Sequence, residues 1–302
     1  MTCPSIRAAP RNPVLAQGFS QPEGPVSLGN GTFALVEMGE ERACVTLLHN
    51  EIAQRIYANA GGRPTGLALD GDGHLWVAGG PGNSLVRIDC LGRELLRVTG
   101  YRDHPFLFPN DLAFGPNGLL YMTDSGMQPE AFITGLAIRS DFATAAYRGC
   151  VYEIDPATGV VLRCLANDLR FANGIAFDAA GAMYVNETLT GRILRQELDG
   201  ALELFAQVSA ENSGMTFSGP DGMAFDLDGR LYCAIYGEGR VAVIGGDGTL
   251  LPSLQTNGHL PTNVAFCPSD HALLVTEVEH GAIEILTVPA MGIPLHQPPI
   301  TR

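Results

Sequence analysis

Six segments of the 302-residue chain open with a proline or alanine followed by a polar residue. They begin at Pro22-Glu23, Pro64-Thr65, Pro109-Asn110, Ala172-Asn173, Pro220-Asp221 and Pro261-Thr262. Two of these polar residues are carboxylates (Glu23, Asp221), two are carboxamides (Asn110, Asn173) and two are threonines. Taken singly, an asparagine before an apolar strand is a turn residue and an acid is a solvated loop tip. If the six are equivalent positions of a repeat that converge on one axis, the reading changes. Two carboxylates facing each other in a confined space repel and lose hydration unless a cation lies between them. Oxygen-only donors suit a hard ion with roughly six to eight ligands, Ca2+ ahead of Mg2+, whereas zinc more usually recruits histidine or cysteine. One divalent cation is therefore expected, Ca2+ first, with Mg2+, Mn2+ or Zn2+ as alternatives. Four protein ligands leave places for water or substrate, the arrangement of a catalytic metal.

The elements that must position these residues are hairpins. Each polar residue precedes a short apolar strand, a turn rich in Gly, Asp, Asn or Pro, and a second apolar strand, as in Pro109-NDLAFGPNGLLYMTD and Pro220-DGMAFDLDGRLYCAI. The polar residues recur at intervals of 42, 45, 63, 48 and 41. Strand-rich units of this length define an all-β, six-bladed β-propeller, in which the starts of the innermost strands surround a central channel. The expectation is a single domain over 1–302 with a metal site in that channel. Too little chain follows the sixth hairpin to finish its blade, so Asn12-PVLAQGF is expected to supply the missing strand and close the ring.

The 63-residue interval carries an insertion, residues 125–148, emerging beside Asn110. Its Phe132, Ile133, Leu136, Ile138, Phe142 and Tyr147 are apolar for a surface loop. A lid over the metal face is expected, with packing on a neighbouring blade or a partner as the alternative. Asn110, Phe108, Tyr236, Phe132 and His104 are the candidate substrate-binding residues, and Asp124, Glu187 and Glu277 are placed on the same rim. Asp70-GDGH and Asp226-LDGR resemble calcium-loop openings but lack the downstream glutamate, so they are assigned to turns.

Composition narrows the partners. All 18 cations are arginine, against 32 acidic residues and a net charge of -14. Without lysine there is no P-loop and no Schiff-base chemistry. The acidic balance speaks against nucleic acid and anionic membrane, and for a neutral or cationic small molecule or a metal ion. Seven scattered cysteines with no C-x-x-C are read as small buried hydrophobes in a reducing compartment, and the protein as cytoplasmic. No G-x-S-x-G, H-E-x-x-H or G-x-G-x-x-G occurs.

The segments E-G-P-V, F-P-N-D-L-A-F-G-P-N-G-L-L-Y-M-T-D, A-N-G-I-A-F-D and P-D-G-M-A-F-D-L-D-G-R-L-Y, in this order, resemble the SMP-30/gluconolactonase/luciferin-regenerating enzyme family across nearly the whole chain. The resemblance implies a propeller with one divalent metal, held by Glu23 of E-G-P, Asn173 of A-N-G and Asp221 of P-D-G, with Asn110 of P-N-D binding metal or substrate. It also implies a metal-dependent hydrolase opening a lactone, with Asp221 as general base or, alternatively, nucleophile. Phosphotriester hydrolysis of the diisopropylfluorophosphatase type, or epoxide hydrolysis, on the same site is a second reading. A binding propeller without catalysis is a third. Animal sugar lactonases of this family carry an arginine two residues before the equivalent of Asn110. Here that residue is Phe108, which points to a lactone or ester less polar than a sugar lactone.

Overall fold

The computed structural model describes residues 11–58, 62–197, 200–268 and 270–300. Six four-stranded antiparallel sheets, five of them running from the axis outward in chain order, form an all-β six-bladed propeller. The innermost strands are Pro22–Gly29, Gly66–Leu69, Pro109–Phe114, Ala172–Phe177, Gly219–Phe225 and Pro261–Phe266. Each packs against the next around the ring, and the last packs against the first. Blades are covered on both faces, which is why a second strand such as Leu231–Tyr236 is apolar almost throughout rather than alternating. One apolar layer fills each gap between neighbours: Val26, Val36 and Leu67 between the first two blades, Phe19, Leu35 and Leu274 between the first and the sixth.

The ring closes as the sequence leads one to expect. Val14–Gln17 is the outer strand of the sixth blade and pairs antiparallel with Ala282–Thr287, Val14 opposite Glu284 and Gln17 opposite Ala282. Thr262 Oγ1 donates to the Pro22 carbonyl at 2.8 Å and laces the two blades at the axis. Deleting residues 1–20 removes that strand and the buried Phe19. A buried aromatic alone contributes about 1.5–3 kcal/mol, so the melting temperature is expected to fall by at least about 3 °C. An unchanged transition by calorimetry would show that the closure does not stabilise the ring.

After the last strand the chain runs across the far end of the channel. Leu227 N–H donates to Met291 O at 2.8 Å, Gly71 N–H to Pro298 O at 2.9 Å, and Ile300 N–H to Asp72 Oδ2 at 2.9 Å. Between this segment and the inner strands lies an apolar cavity of about 500 Å3. Among the described residues no helix is long and apolar enough to cross a membrane.

Candidate metal centre

The six polar residues meet at the other end of the channel, five of them at an irregularity of the inner strand and Thr65 just before a regular one. Ladder register shifts between Glu23 and Val26, Pro109 and Leu112, Ala172 and Ile175, Pro220 and Met223, and Pro261 and Asn263. Such bulges bend a strand and re-aim its side chains, and they concentrate beside functional sites. The next residue is glycine in four blades (Gly24, Gly66, Gly174, Gly222) because the inner strands nearly touch. A Cβ on Gly174 would lie 2.2 Å from Asp221 O, and one on Gly66 2.5 Å from Asn110 O. In the other two blades that position holds Asp111 and Asn263, whose side chains fill the channel below the axial set.

Hydroxyl relays fix the carboxamides. Asn110 Nδ2 donates to Ser125 Oγ at 2.9 Å, and Ser125 donates to Ala172 O at 3.0 Å. Asn173 Nδ2 donates to Thr188 Oγ1 at 3.1 Å, and Thr188 donates to Pro220 O at 2.8 Å. With each amide nitrogen held by the next blade's backbone through a hydroxyl, the Asn173 carbonyl oxygen is left buried without a hydrogen-bond partner. Glu23 Oε1 accepts from Asn263 Nδ2 at 2.9 Å, and Glu23 Oε2 is likewise buried and unpartnered. The threonines are lacing, not ligands: Thr65 Oγ1 donates to Pro109 O at 2.8 Å, as Thr262 does to Pro22.

Three carboxylates therefore share one buried space. Burial, then the charges of Asp221 and Asp111, push the Glu23 carboxyl well above its ordinary value, with the hydrogen bond from Asn263 opposing. Burial and the charge of Asp111 raise Asp221 in the same way. Burial lifts Asp111 to about 7, against hydrogen bonds from the Leu112 and Ile175 N–H groups. Two orphaned oxygens beside carboxylates that cannot ionise together make an all-oxygen donor set that fits a hard divalent cation. Glu23, Asn110, Asn173 and Asp221 are the residues that would hold it.

Above this set a pocket of about 70 Å3 opens. The insertion supplies Phe132, Ile133, Leu136 and Ile138 to its wall, and the ring supplies Phe108, Phe171, Phe217 and Tyr236. The insertion is docked by its aromatics, with Phe132 centred 4.7 Å from Phe171 and 5.3 Å from Phe217. The much larger cavity at the far end is lined mainly by apolar residues with Ser27, Asp111, Asn263, His296 and Gln297 among them, whereas all six axial polar residues line the smaller one. Gln21 and Phe171, both in the wall, hold φ of 51° and 68°, a left-handed backbone that costs a side-chain-bearing residue on the order of 1–3 kcal/mol and clusters at active sites.

His104 stands elsewhere. It is exposed in a two-residue ladder, Gly100–Tyr101 against His104–Pro105, and is not part of the pocket wall. The reason is local: Phe106 and Tyr101 turn inward onto Tyr152 between blades, leaving the hairpin tip in solvent. Asp124, Glu187 and Glu277 are buried rather than rimming the pocket. Asp124 accepts from the N–H groups of Leu107, Phe108 and Gly126 at 2.8–2.9 Å, Glu187 from Arg170 at 2.7 Å, and Glu277 from Leu260 at 3.1 Å. They clamp the loops that enter the inner strands. The acidic turns are similarly satisfied. Asp70 accepts from the Asp72 and His74 N–H groups and from Arg87 Nε at 2.8 Å, and Asp226 accepts from the Asp228 and Arg230 N–H groups.

Sequence reasoning missed Asp111, Asn263 and Arg63, all of which line the channel or the pocket. A signal existed for the first two, since they interrupt the glycines that follow the axial residues. Arg63 lies two residues before Thr65, the offset that separates Phe108 from Asn110.

Fold and site define a class, six-bladed propellers whose polar chemistry gathers at one mouth of the central channel. Residues 93–279 match the family model described as SMP-30/Gluconolactonase/LRE-like region, and the chain belongs to that family. It is 25% identical to a gluconolactonase of Zymomonas mobilis over 297 residues, covering 91% of this chain and 80% of that one. A solved gluconolactonase from Xanthomonas campestris superposes with a TM-score of 0.75 at 24% identity, over 91% of this chain and 89% of that one. The calcium-binding protein regucalcin from Agrobacterium tumefaciens gives a TM-score of 0.73 at 23% identity, over 96% and 97%. The two structural likenesses speak to the fold.

Proposed function

We propose that this protein is a divalent-metal-dependent lactonase, with Ca2+ held by Glu23, Asn110, Asn173 and Asp221. One observation carries the reading. At the floor of a largely apolar pocket the carboxylates of Glu23 and Asp221 meet the carboxamide of Asn173, with Glu23 Oε2 and Asn173 Oδ1 buried without hydrogen-bond partners and, among the described residues, no ion pair to either carboxylate. A divalent cation bound there supplies Lewis-acid polarisation of a substrate carbonyl and charge for the developing oxyanion. The chain's own residues do the rest. Asp221 accepts, at its carboxylate, the proton of the water that attacks the acyl carbon, and returns it to the leaving alkoxide as the ring opens. Ser125 and Thr188 keep the two carboxamides oriented, so that their oxygens need no reorganisation during turnover. Phe108, Phe132 and Tyr236 exclude other water and hold the apolar part of the substrate. The pocket is smaller than the ~300–1,000 Å3 common for ligand sites, so residues 125–148 act as a lid that lifts to admit substrate.

The test is turnover of lactones of graded polarity by chelated and calcium-restored protein. Hydrolysis that disappears with chelator and returns with Ca2+ is expected. Undiminished lactone hydrolysis in chelator, or turnover confined to phosphotriesters or epoxides, would overturn the reading.

A further inference from the structure

The residues two positions before the six axial side chains form a second tier at the channel mouth: Gln21, Arg63, Phe108, Phe171, Gly219 and Leu260. Four of them, Gln21, Arg63, Phe108 and Phe171, line the pocket, each from the loop that enters an inner strand, with Gln21 and Phe171 turned by a left-handed backbone. Among the described residues Arg63 is the one cation in that wall. Its Nη1 donates to the Met38 carbonyl at 3.3 Å and its Nη2 to Gln21 Oε1 at 2.7 Å, both neutral acceptors. Elsewhere the half-buried arginines neutralise buried carboxylates: Arg42 and Arg55 bind Glu37, Arg87 binds Asp70, and Arg192 binds Glu187. Arg63 makes no such ion pair among the described residues, although burial disfavours its charge, with only Tyr236 and Glu40 acting the other way.

A guanidinium with no ion pair in a largely apolar pocket, whose floor carboxylates Glu23 and Asp221 belong to the proposed metal set, is costly, and a neutral hydroxyl does not relieve that cost. Its unused N–H groups form a planar fork that matches a carboxylate in bidentate fashion. We infer that Arg63 selects a carboxylate-bearing substrate, holding that group in its N–H fork while Phe108, Phe171 and Tyr236 cover the apolar remainder. The inference rests on the pocket being the substrate site of the proposed lactonase. It runs against the net charge of -14, which speaks for neutral or cationic ligands; the local field at the channel mouth decides instead.

The experiment is calorimetric titration of the calcium-loaded protein with 4-phenylbutyrate, with its neutral amide and with inorganic phosphate. Wild type is expected to bind the carboxylate about ten- to a hundredfold more tightly than the amide. Arg63→Gln, which keeps a donor for Met38 but no charge, should bind the two alike, and Arg63→Lys should retain part of the preference. Equal binding by wild type, a preference that survives in Arg63→Gln, or phosphate binding as tightly as the carboxylate would overturn the inference. Steady-state kinetics then separate it from the reading beneath it. A lactone with a pendant carboxylate should show a KM raised about tenfold or more in Arg63→Gln, against a much smaller change for its methyl ester. Turnover of both lactones without that difference removes the role of Arg63 alone. No lactone turnover with the binding preference intact removes the lactonase and leaves the anion site.

Discussion

Asp221→Asn is expected to lower kcat/KM for the best lactone by about 10³ while leaving calcium affinity comparatively little changed. Asparagine keeps an oxygen donor of the same size on the same strand, so the ligand set loses charge but not geometry. What it loses is the group that takes the proton from water. A second readout distinguishes this from general damage. Asp221 is partly buried at the pocket floor near Glu23 and Asp111, and loss of solvent around its carboxyl, then the charge of Asp111, raises it well above the ordinary range. Removing one of the three charges should therefore raise the melting temperature in chelator even as activity collapses. Full activity in the variant would take Asp221 out of the chemistry, and a lower chelated melting temperature would mean that the side chain supports the channel instead.

Chelation should make stability depend on pH with a definite sign. Aspartate and glutamate titrate near 3.9 and 4.3 in an unfolded chain. In the folded protein Asp111 is lifted to about 7, and Glu23 and Asp221 are raised as well. A raised carboxyl means that the native state binds more protons than the unfolded state between those limits. Stability is then fully present below about pH 4 and is lost as pH rises through the folded values. In chelator the melting temperature is expected to fall from pH 5 to pH 8. Ca2+ at about 1,000 times its Kd adds about 4 kcal/mol, roughly 8 °C for a chain of this length, and most of that gain should appear at pH 8, where the carboxylates need it. Differential scanning calorimetry at the two pH values with and without Ca2+ measures both. A chelated protein that grows more stable toward pH 8 would mean that the three carboxylates do not face one another.

The sequence by itself determined the fold and the axial residues, because both are written in local periodicity. Alternation of two apolar runs around a Gly/Asp/Pro turn makes a hairpin without knowledge of its neighbours. Six hairpins at blade spacing then force the residues at their starts, Glu23, Asn110, Asn173 and Asp221 among them, onto one axis. The closing strand Val14–Gln17 was legible for the same reason, since a count of strands left one place empty. Tertiary structure decided what alternation forbids. In a regular strand Asn110 and Asp111 face opposite ways, but the register shift between Pro109 and Leu112 gives both to the channel, adding a third buried carboxylate that strand periodicity assigns to the other face. His104 shows the reverse case, an aromatic imidazole close in sequence to Asn110 that a small hairpin carries out into solvent. Arg63 needed the ring as well. Two residues before a threonine that binds no metal it is unremarkable in the chain, and only the closure of blade against blade sets it into the pocket wall beside Gln21 and Phe108, where an unpaired charge has consequences.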